Sequence, residues 1–291
     1  MLYTRTVYGK GGALMKRTAL INDISGIGRC SLTVALPIIS ACGHECAVLP
    51  TAVLSNHTGF DDYTFYDFTG HMRSYIDCWR KLGVSFDAVY SGFLGSCAQA
   101  DITLEFMSEF GAGALKLVDP VLGDGGRLYD TCGGKMLYDM KRLAGAADVI
   151  TPNLTELCAL SGADYPTVGT TFGEIERMCA EIGCNNIVVT GLEHETVPQI
   201  GGDRIVNLIW DGGCSDITEN KRIETAYCGT GDVFASVLCG VLTSGAELKD
   251  AVRIASDFVE KCVEDTYKNH GNRLYGIQFE NNLSLLKEYL L

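Results

Sequence analysis

The sequence predicts an α/β fold with a mostly parallel central sheet. Three observations support it: strand-length apolar runs alternate with helical segments, turn residues separate them, and no repeat or linker divides the chain. Strands alternating with helices form βαβ crossovers, which cover both faces of a parallel sheet. With 291 residues and 47% hydrophobic content, the chain can bury a large core. We expect one domain over residues 15–291, after an extension over residues 1–14 that has no helical or strand periodicity.

The first unit of the sheet is a strand followed by a loop and a helix. An apolar run begins near Thr18, a glycine-bearing loop spans residues 24–29, and small and aliphatic residues over 30–41 predict a helix. The loop does not have the G-x-G-x-x-G spacing of a dinucleotide site, so it does not indicate NAD binding.

The same alternation continues along the chain. Apolar runs predict further strands over 44–54, 88–90, 115–118, 149–150 and 187–189. Helical spacing predicts the intervening helices over 71–82, 98–110, 135–143, 155–160 and 172–182. Between Asp203 and Tyr227, short extended segments interrupted by Asp211-Gly212-Gly213 predict an antiparallel hairpin at the edge of the sheet.

The turn Gly229-Thr230-Gly231-Asp232 precedes an apolar helix over residues 233–242. A glycine-rich turn at a helix start presents backbone N–H groups that have no partner within the helix, and the helix dipole adds positive potential there. This arrangement favours an anion, and the Asp232 carboxylate can accept a proton from a hydroxyl that attacks phosphorus. The alternative is an ordinary helix cap, because Thr230 and Asp232 are both good capping types.

Polar residues recur where the predicted strands end. Ligands in open α/β sheets bind at the carboxyl ends of the strands, although these residue types are also ordinary turn formers. Carboxylates among them supply the hard oxygen ligands that Mg²⁺ prefers. The residues concerned are Asn22, Asp23, Thr51, Asp119, Asp124, Thr151, Asn153, Glu156 and Thr190.

Four motifs together resemble the pyridoxal kinases of the ribokinase-like superfamily, over roughly Arg17 to Cys262. They are the 229–232 turn, L-S-N-H-T-G-F over 54–60, D-P-V-L-G-D over 119–124, and T-P-N-L-T-E over 151–156. The resemblance implies a ribokinase-like three-layer α/β/α sandwich with a mostly parallel sheet and a short antiparallel edge. It also implies ATP-dependent phosphorylation of the 5′-hydroxymethyl group of a vitamin B6 vitamer, in the salvage of pyridoxal phosphate.

The resemblance also implies roles for individual residues. Asp232 matches the catalytic base, and the amides of Gly229, Thr230 and Gly231 match an anion hole. Positions matching the vitamer side are Asp23, Thr51, His57 and Phe93, together with Asp232. Positions matching the ATP side are Asp119, Asp124, Thr151, Asn153, Glu156 and Thr190, with Gly229 and Thr230. Of these, Asp119, Asp124 and Glu156 match the Mg²⁺ site. The resemblance also implies a monovalent cation such as K⁺. The family also implies a homodimer.

Two residues depart from the family pattern. Asp23 stands where many pyridoxal kinases have serine, and Phe93 where relatives often have tyrosine. A carboxylate favours a protonated ring nitrogen or an amine by charge attraction. We hypothesise that Asp23 contacts the vitamer ring nitrogen and favours pyridoxamine; the alternative is that it caps the loop or binds Arg29. For His57, the alternative is a loop histidine that is satisfied within the protein.

Composition limits the classes of partner. The net charge of −13 argues against nucleic acid or anionic lipid as a general partner. No apolar run approaches the ~20 residues of a membrane span, and the first residues have no signal-peptide pattern, so we expect a cytoplasmic protein. The alternative functions are a hydroxymethylpyrimidine kinase and a vitamer-binding protein without catalytic activity. A ribokinase-type sugar kinase is less well supported, because no diglycine typical of a sugar site is evident.

Overall fold

A mostly parallel sheet organises the structure, a computed structural model that describes residues 15–129 and 132–290. The predicted extension over 1–14 lies outside these residues. The order of the nine strands in this sheet is β11-β10-β9-β8-β5-β4-β1-β2-β3. Their bounds are β1 Arg17–Ser25, β2 Glu45–Leu54, β3 Phe65–Asp67, β4 Ala88–Ser91, β5 Leu115–Val118, β8 Val149–Ile150, β9 Asn186–Glu193, β10 Arg204–Trp210 and β11 Ser215–Lys221. Two short strands, β6 Gly123–Asp124 and β7 Arg127–Leu128, pair separately.

Strand direction agrees with the predicted βαβ pattern. The six strands from β9 to β2 in the sheet order are parallel to one another. β10 pairs antiparallel with both β9 and β11, which confirms the predicted hairpin. At the opposite edge, β3 adds a second antiparallel strand that the sequence pattern did not predict.

The helices lie on both faces of this sheet. They are α1 Ser31–Ala41, α2 Thr69–Leu82, α3 Cys97–Phe110, α4 Gly134–Ala146, α5 Leu154–Ser161, α6 Phe172–Ala180, α7 Thr230–Ser244, α8 Leu248–Lys268 and α9 Leu283–Tyr289. Side chains of α2 to α6 form one apolar layer, and side chains of α1, α7, α8 and α9 form the other. No helix within the described ranges is long and apolar enough to cross a bilayer.

Successive residues of the central strands supply the two layers alternately. In β1, Ala19 and Ile21 pack into the layer of α2 to α6, whereas Leu20 packs against α1 and α7; all three are completely buried. This is the two-residue period of a strand covered on both faces. The parallel strands consequently end together at one edge of the sheet, where the polar residues predicted from the sequence are found.

Candidate active site

The glycine turn forms the start of helix α7. Gly229 is the N-cap residue with φ 78°, and no side chain of the described residues caps the helix. The alternative that Thr230 or Asp232 caps the helix is therefore wrong: Thr230 is the first helical residue, and Asp232 lies in the first turn. The first amides of α7 therefore have no side-chain partner among the described residues, as an anion site requires.

Gly229 is fixed by close contact with the segment before α1. A Cβ atom at this position would lie 1.9 Å from the carbonyl oxygen of Arg29. The loop after α8 supports the same turn, because the Cys228 N–H donates to the Arg273 carbonyl (3.2 Å) and the Cys228 carbonyl accepts from the Ile277 N–H (3.2 Å). The turn is thus held on both sides by backbone.

Asp232 is partly exposed but is surrounded by protein and by other acids. Burial raises the pKa of its carboxyl group well above the usual range, and the negative charges of Asp119 and Asp23 raise it further. The main-chain N–H of Ser31 opposes this shift by stabilising the carboxylate. A carboxylate with a raised pKa is a stronger base, which suits the abstraction of a proton from an alcohol.

Asp119 and Glu156 form a second acidic pair. Asp119 directly follows β5, and Glu156 lies in the first turn of α5. The Thr151 hydroxyl donates to Asp119 Oδ1 (3.0 Å), and burial raises the pKa of Asp119. Burial and the Asp119 charge raise the pKa of Glu156 well above its usual range. Within the described chain, neither carboxylate is in an ion pair with a lysine, arginine or histidine.

Glu156 also has a structural role in addition to its place in the acidic pair. Its Oε2 accepts from the Asn153 N–H (2.9 Å), while Asn153 Oδ1 accepts from the Glu156 N–H (3.0 Å), which makes a capping box for α5. Glu156 Oε1 accepts from the Leu122 N–H (3.1 Å). Both carboxylate oxygens are therefore engaged by backbone amides.

The remaining residues predicted on the ATP side surround this pair. Asn153 Nδ2 donates to the Gly123 carbonyl (2.8 Å) at the start of the β6–β7 hairpin. Asp124 is exposed in that hairpin and accepts from the Gly125 N–H (2.8 Å). Thr190 lies beside Asn153 through an isolated parallel bridge. Across residues 15–129 and 132–290, no group of three or more His, Cys, Asp or Glu side chains is arranged to hold a metal directly.

On the vitamer side, Asp23 is buried and already hydrogen-bonded. It accepts from the hydroxyls of Ser25 (2.9 Å) and Ser31, and burial raises its pKa. Arg29 instead binds Glu280 through Nε (2.6 Å), so the alternative that Asp23 binds Arg29 is not what the structure shows. The contacts with Ser25 and Ser31 agree with the other alternative, in which Asp23 caps the loop after β1.

Asn22 and Thr51 fix the position of Phe93. The Phe93 N–H donates to Asn22 Oδ1 (2.8 Å), and the Thr51 hydroxyl donates to the Phe93 carbonyl (2.9 Å). Thr51 is completely buried, so its side chain cannot contact a ligand directly and instead orients Phe93. Phe93 itself is partly exposed, as a ring that stacks on a ligand needs to be.

His57 is satisfied within the protein, as the alternative interpretation had it. Its Nε2 lies 2.6 Å from the Leu274 carbonyl, and its Nδ1 accepts from the Gly59 N–H (3.1 Å). These contacts assign the proton to Nε2 and leave no ring nitrogen free for a ligand. A contact with substrate through this residue would use the ring face.

Two residues near the site, Ser31 and Tyr90, were not identified from the sequence. Ser31 donates to Asp23, as described, and Asn22, which the sequence pattern did identify at the end of β1, orients Phe93. Tyr90 of β4 is buried, and burial together with the negative charges of Asp119 and Asp232 raises the pKa of its hydroxyl. Its hydroxyl has no hydrogen-bond partner in the described part of the chain. Ser236, which lies beside it, donates its own hydroxyl to the Asp232 carbonyl (2.6 Å).

The phosphomethylpyrimidine kinase family profile matches residues 44–275. The chain belongs to this family. Among solved structures, a Bacteroides thetaiotaomicron protein classed with the phosphomethylpyrimidine kinases and crystallised with pyridoxal is 35% identical, with a TM-score of 0.87 over 94% of this chain and 96% of that one. The pyridoxal kinase of Lactobacillus plantarum is 26% identical, with a TM-score of 0.84 over 95% and 98% of the two chains.

The relatives found by sequence comparison are also named as kinases of B6 vitamers. The pyridoxine/pyridoxal/pyridoxamine kinase of Bordetella avium is 28% identical over 82% of this chain and 81% of its own length. The pyridoxal kinase of Rubrobacter xylanophilus is 27% identical over 83% and 84%. The predicted relation to pyridoxal kinases and the ribokinase-like three-layer fold are both confirmed.

Proposed function

We propose that the protein transfers the γ-phosphoryl group of ATP to the 5′-hydroxymethyl group of a vitamin B6 vitamer. The observation that carries this proposal is the position of Asp232, at the uncapped start of α7 and facing Asp23 and Asp119 at the strand ends. The names of the relatives support the same class of substrate.

Asp232 acts as the general base. Its carboxylate accepts the proton of the vitamer alcohol while the alcohol oxygen bonds to the γ-phosphorus and the bond to the ADP oxygen breaks. The amides of Gly229, Thr230 and Gly231 stabilise the negative charge on the transferring group. These contributions suit phosphoryl transfer, in which positioning and charge stabilisation dominate.

The acidic pair Asp119 and Glu156 fits a bound cation. Two buried carboxylates without a basic partner in the described chain are costly unless a cation neutralises them. Because both oxygens of Glu156 accept backbone N–H groups, Asp119 is the better direct ligand, with Asp124 and Glu156 close to the metal or its water. Mg²⁺ bound with ATP would neutralise charge on the β- and γ-phosphates. Thr151, Asn153 and Thr190 would line the nucleotide side, where K⁺ is also proposed.

The vitamer would lie between Asp23, Phe93 and the ring face of His57, with its alcohol towards Asp232. Asp23 would recognise a protonated ring nitrogen only by exchanging one of its two serine hydroxyl partners. Asp23→Ser tests this role: a changed ratio of turnover between pyridoxamine and pyridoxal supports the contact, and an unchanged ratio refutes it.

Asp232→Asn tests the function itself. Removal of the base should lower kcat by about 10²–10⁴ while ATP binding persists. The variant should be at least as stable as the wild type, since an uncharged amide is not repelled by Asp119 and Asp23. Asp250→Asn is the matched control, because Asp250 also lies in the first turn of a long helix but is exposed. Turnover near the wild-type value in Asp232→Asn would remove Asp232 from this role.

A second candidate activity is phosphorylation of hydroxymethylpyrimidine, which the family description favours. Initial rates with pyridoxal, pyridoxamine, pyridoxine and hydroxymethylpyrimidine, each with MgATP, distinguish the two activities. Binding of a vitamer without any ADP release would instead indicate a carrier.

We also propose a cytoplasmic, single-domain protein that forms a homodimer. Support for the dimer comes from the β2–β3 edge of the sheet, where Val53, Phe65 and Tyr66 are exposed and β3 is the outermost strand among the described residues. Light scattering of the purified protein measures the oligomeric state.

A further inference from the structure

The first residue of helix α1, Ser31, has an unusual backbone conformation for its type. Its φ is 50°, in the left-handed region that glycine adopts most readily, and His270 is the one other non-glycine residue with a positive φ in the described chain. Such a conformation costs free energy and persists where surrounding contacts enforce it. Ser31 is buried, so its side chain and main chain must both find partners within the protein.

The side chain of Ser31 is anchored to Asp23. The Ser31 hydroxyl donates to Asp23 Oδ1, and the Ser25 hydroxyl donates to Asp23 Oδ2 (2.9 Å). All three residues are at least nine-tenths buried. Water therefore competes little with these bonds, and the carboxylate holds Ser31 from the end of β1.

The main chain of Ser31 faces the proposed base. The start of α1 packs on the start of α7: a Cβ at Gly229 would lie 1.9 Å from the Arg29 carbonyl oxygen and 3.8 Å from the Cys30 nitrogen. The Ser31 N–H at this junction lies close enough to the Asp232 carboxylate to stabilise its charge, which opposes the rise in the pKa of Asp232.

We propose that Ser31 is a positioning residue for Asp232. The bond from the Ser31 hydroxyl to Asp23 holds the first amide of α1 against the Asp232 carboxylate, and this keeps the base oriented towards the vitamer alcohol. The inference rests on the proposed function, in which Asp232 accepts the proton. Without the hydroxyl, Ser31 is free to return to a negative φ, which turns its N–H away from Asp232.

Ser31→Ala tests the inference by removing the hydroxyl while keeping the Cβ. We expect kcat to fall by about 10- to 100-fold, because a displacement of the base by about 1 Å lowers the rate by that much. The KM for ATP should stay within about threefold of the wild type. Ser74→Ala is the matched control: it removes the hydroxyl of an exposed serine in α2, which donates to the His71 carbonyl (2.7 Å) and not to Asp23, and kcat should stay within about twofold of the wild type.

Ser31→Gly separates the anchor from the backbone conformation. Glycine adopts a positive φ without strain but has no hydroxyl, so we expect kcat to be lowered here as well. Wild-type kcat in Ser31→Gly or Ser31→Ala would overturn the inference. A lowered Tm with unchanged kcat would also overturn it, because it would show a purely structural role.

Turnover of the vitamers by the wild-type protein tests the proposed function separately. If the wild type transfers no phosphoryl group, crystal structures of the wild type and Ser31→Ala still decide the positioning. An Asp232 carboxylate that turns away from the start of α1 in the variant supports the inference, and an unchanged carboxylate overturns it.

Discussion

Gly229→Ala should damage both stability and turnover, and the structure gives the size of each effect. An alanine at φ 78° costs about 1–2 kcal/mol relative to glycine. Its Cβ would also lie 1.9 Å from the Arg29 carbonyl oxygen, so the turn or the start of α1 must move by more than 1 Å. Overpacking of this kind typically costs about 1–3 kcal/mol more. The total loss is roughly 2–5 kcal/mol.

The displaced turn carries the amides proposed to hold the transferring phosphoryl group. A movement of about 1 Å in a positioning element can lower a rate by about 10², so kcat should fall at least that far. Thermal unfolding measures the first effect, and initial rates with MgATP and pyridoxal measure the second.

Gly245→Ala is the control for backbone strain. Gly245 ends the same helix at φ 104°, and a Cβ there meets no atom within 4 Å. This variant should lose only the strain energy of about 1–2 kcal/mol and keep the wild-type kcat. The reasoning fails if Gly229→Ala is as stable as Gly245→Ala, or if its kcat stays within about threefold of the wild type.

Two further predictions concern the buried polar groups. Burial raises the pKa of Asp119, Glu156 and Asp232, so the unfolded chain releases these protons at lower pH than the folded protein. The three carboxyl groups therefore contribute fully to folding stability below roughly pH 4. This contribution is lost as the pH rises through their raised pKa values. The Tm without Mg²⁺ should therefore fall between about pH 5 and pH 8, and added Mg²⁺ should raise it more at the higher pH; a Tm that is flat over this range contradicts the prediction. Tyr90→Phe removes a buried hydroxyl that has no partner in the described chain, so it should be neutral or stabilising by up to about 1 kcal/mol in urea unfolding, and a loss above that would reveal a hidden partner.

Local patterns were sufficient to predict most of the fold. The apolar runs of β1, β4 and β5 are long enough to identify strands, and their alternation with helices determines the parallel arrangement. Helix α8, Leu248–Lys268, has the same kind of signal, since Ala251, Val252, Ala255, Phe258 and Cys262 are buried at helical spacing, but we did not predict it. Strand β3 has three residues, all exposed, and gives no apolar pattern to detect.

The site was harder to predict because side-chain roles depend on partners distant in sequence. The spacing of Asn153 and Glu156 is that of a capping box, so the structural use of Glu156 was visible in the sequence. The bond between Ser31 and Asp23 spans eight residues across a loop, and His57 meets Leu274 more than 200 residues away. Neither contact follows from periodicity or composition.

The charge of the site explains why it is built mainly from main-chain amides. Asp23, Asp119, Glu156 and Asp232 are brought together without a lysine or arginine partner in the described ranges, so the field at the strand ends repels a free polyphosphate. Amides at the start of α7 attract an anion without neutralising Asp232, whereas a lysine there would lower its pKa and weaken the base. In the proposed reaction, a cation bound with the nucleotide would offset the remaining repulsion. Base strength and the proposed dependence on Mg²⁺ would then have one physical origin.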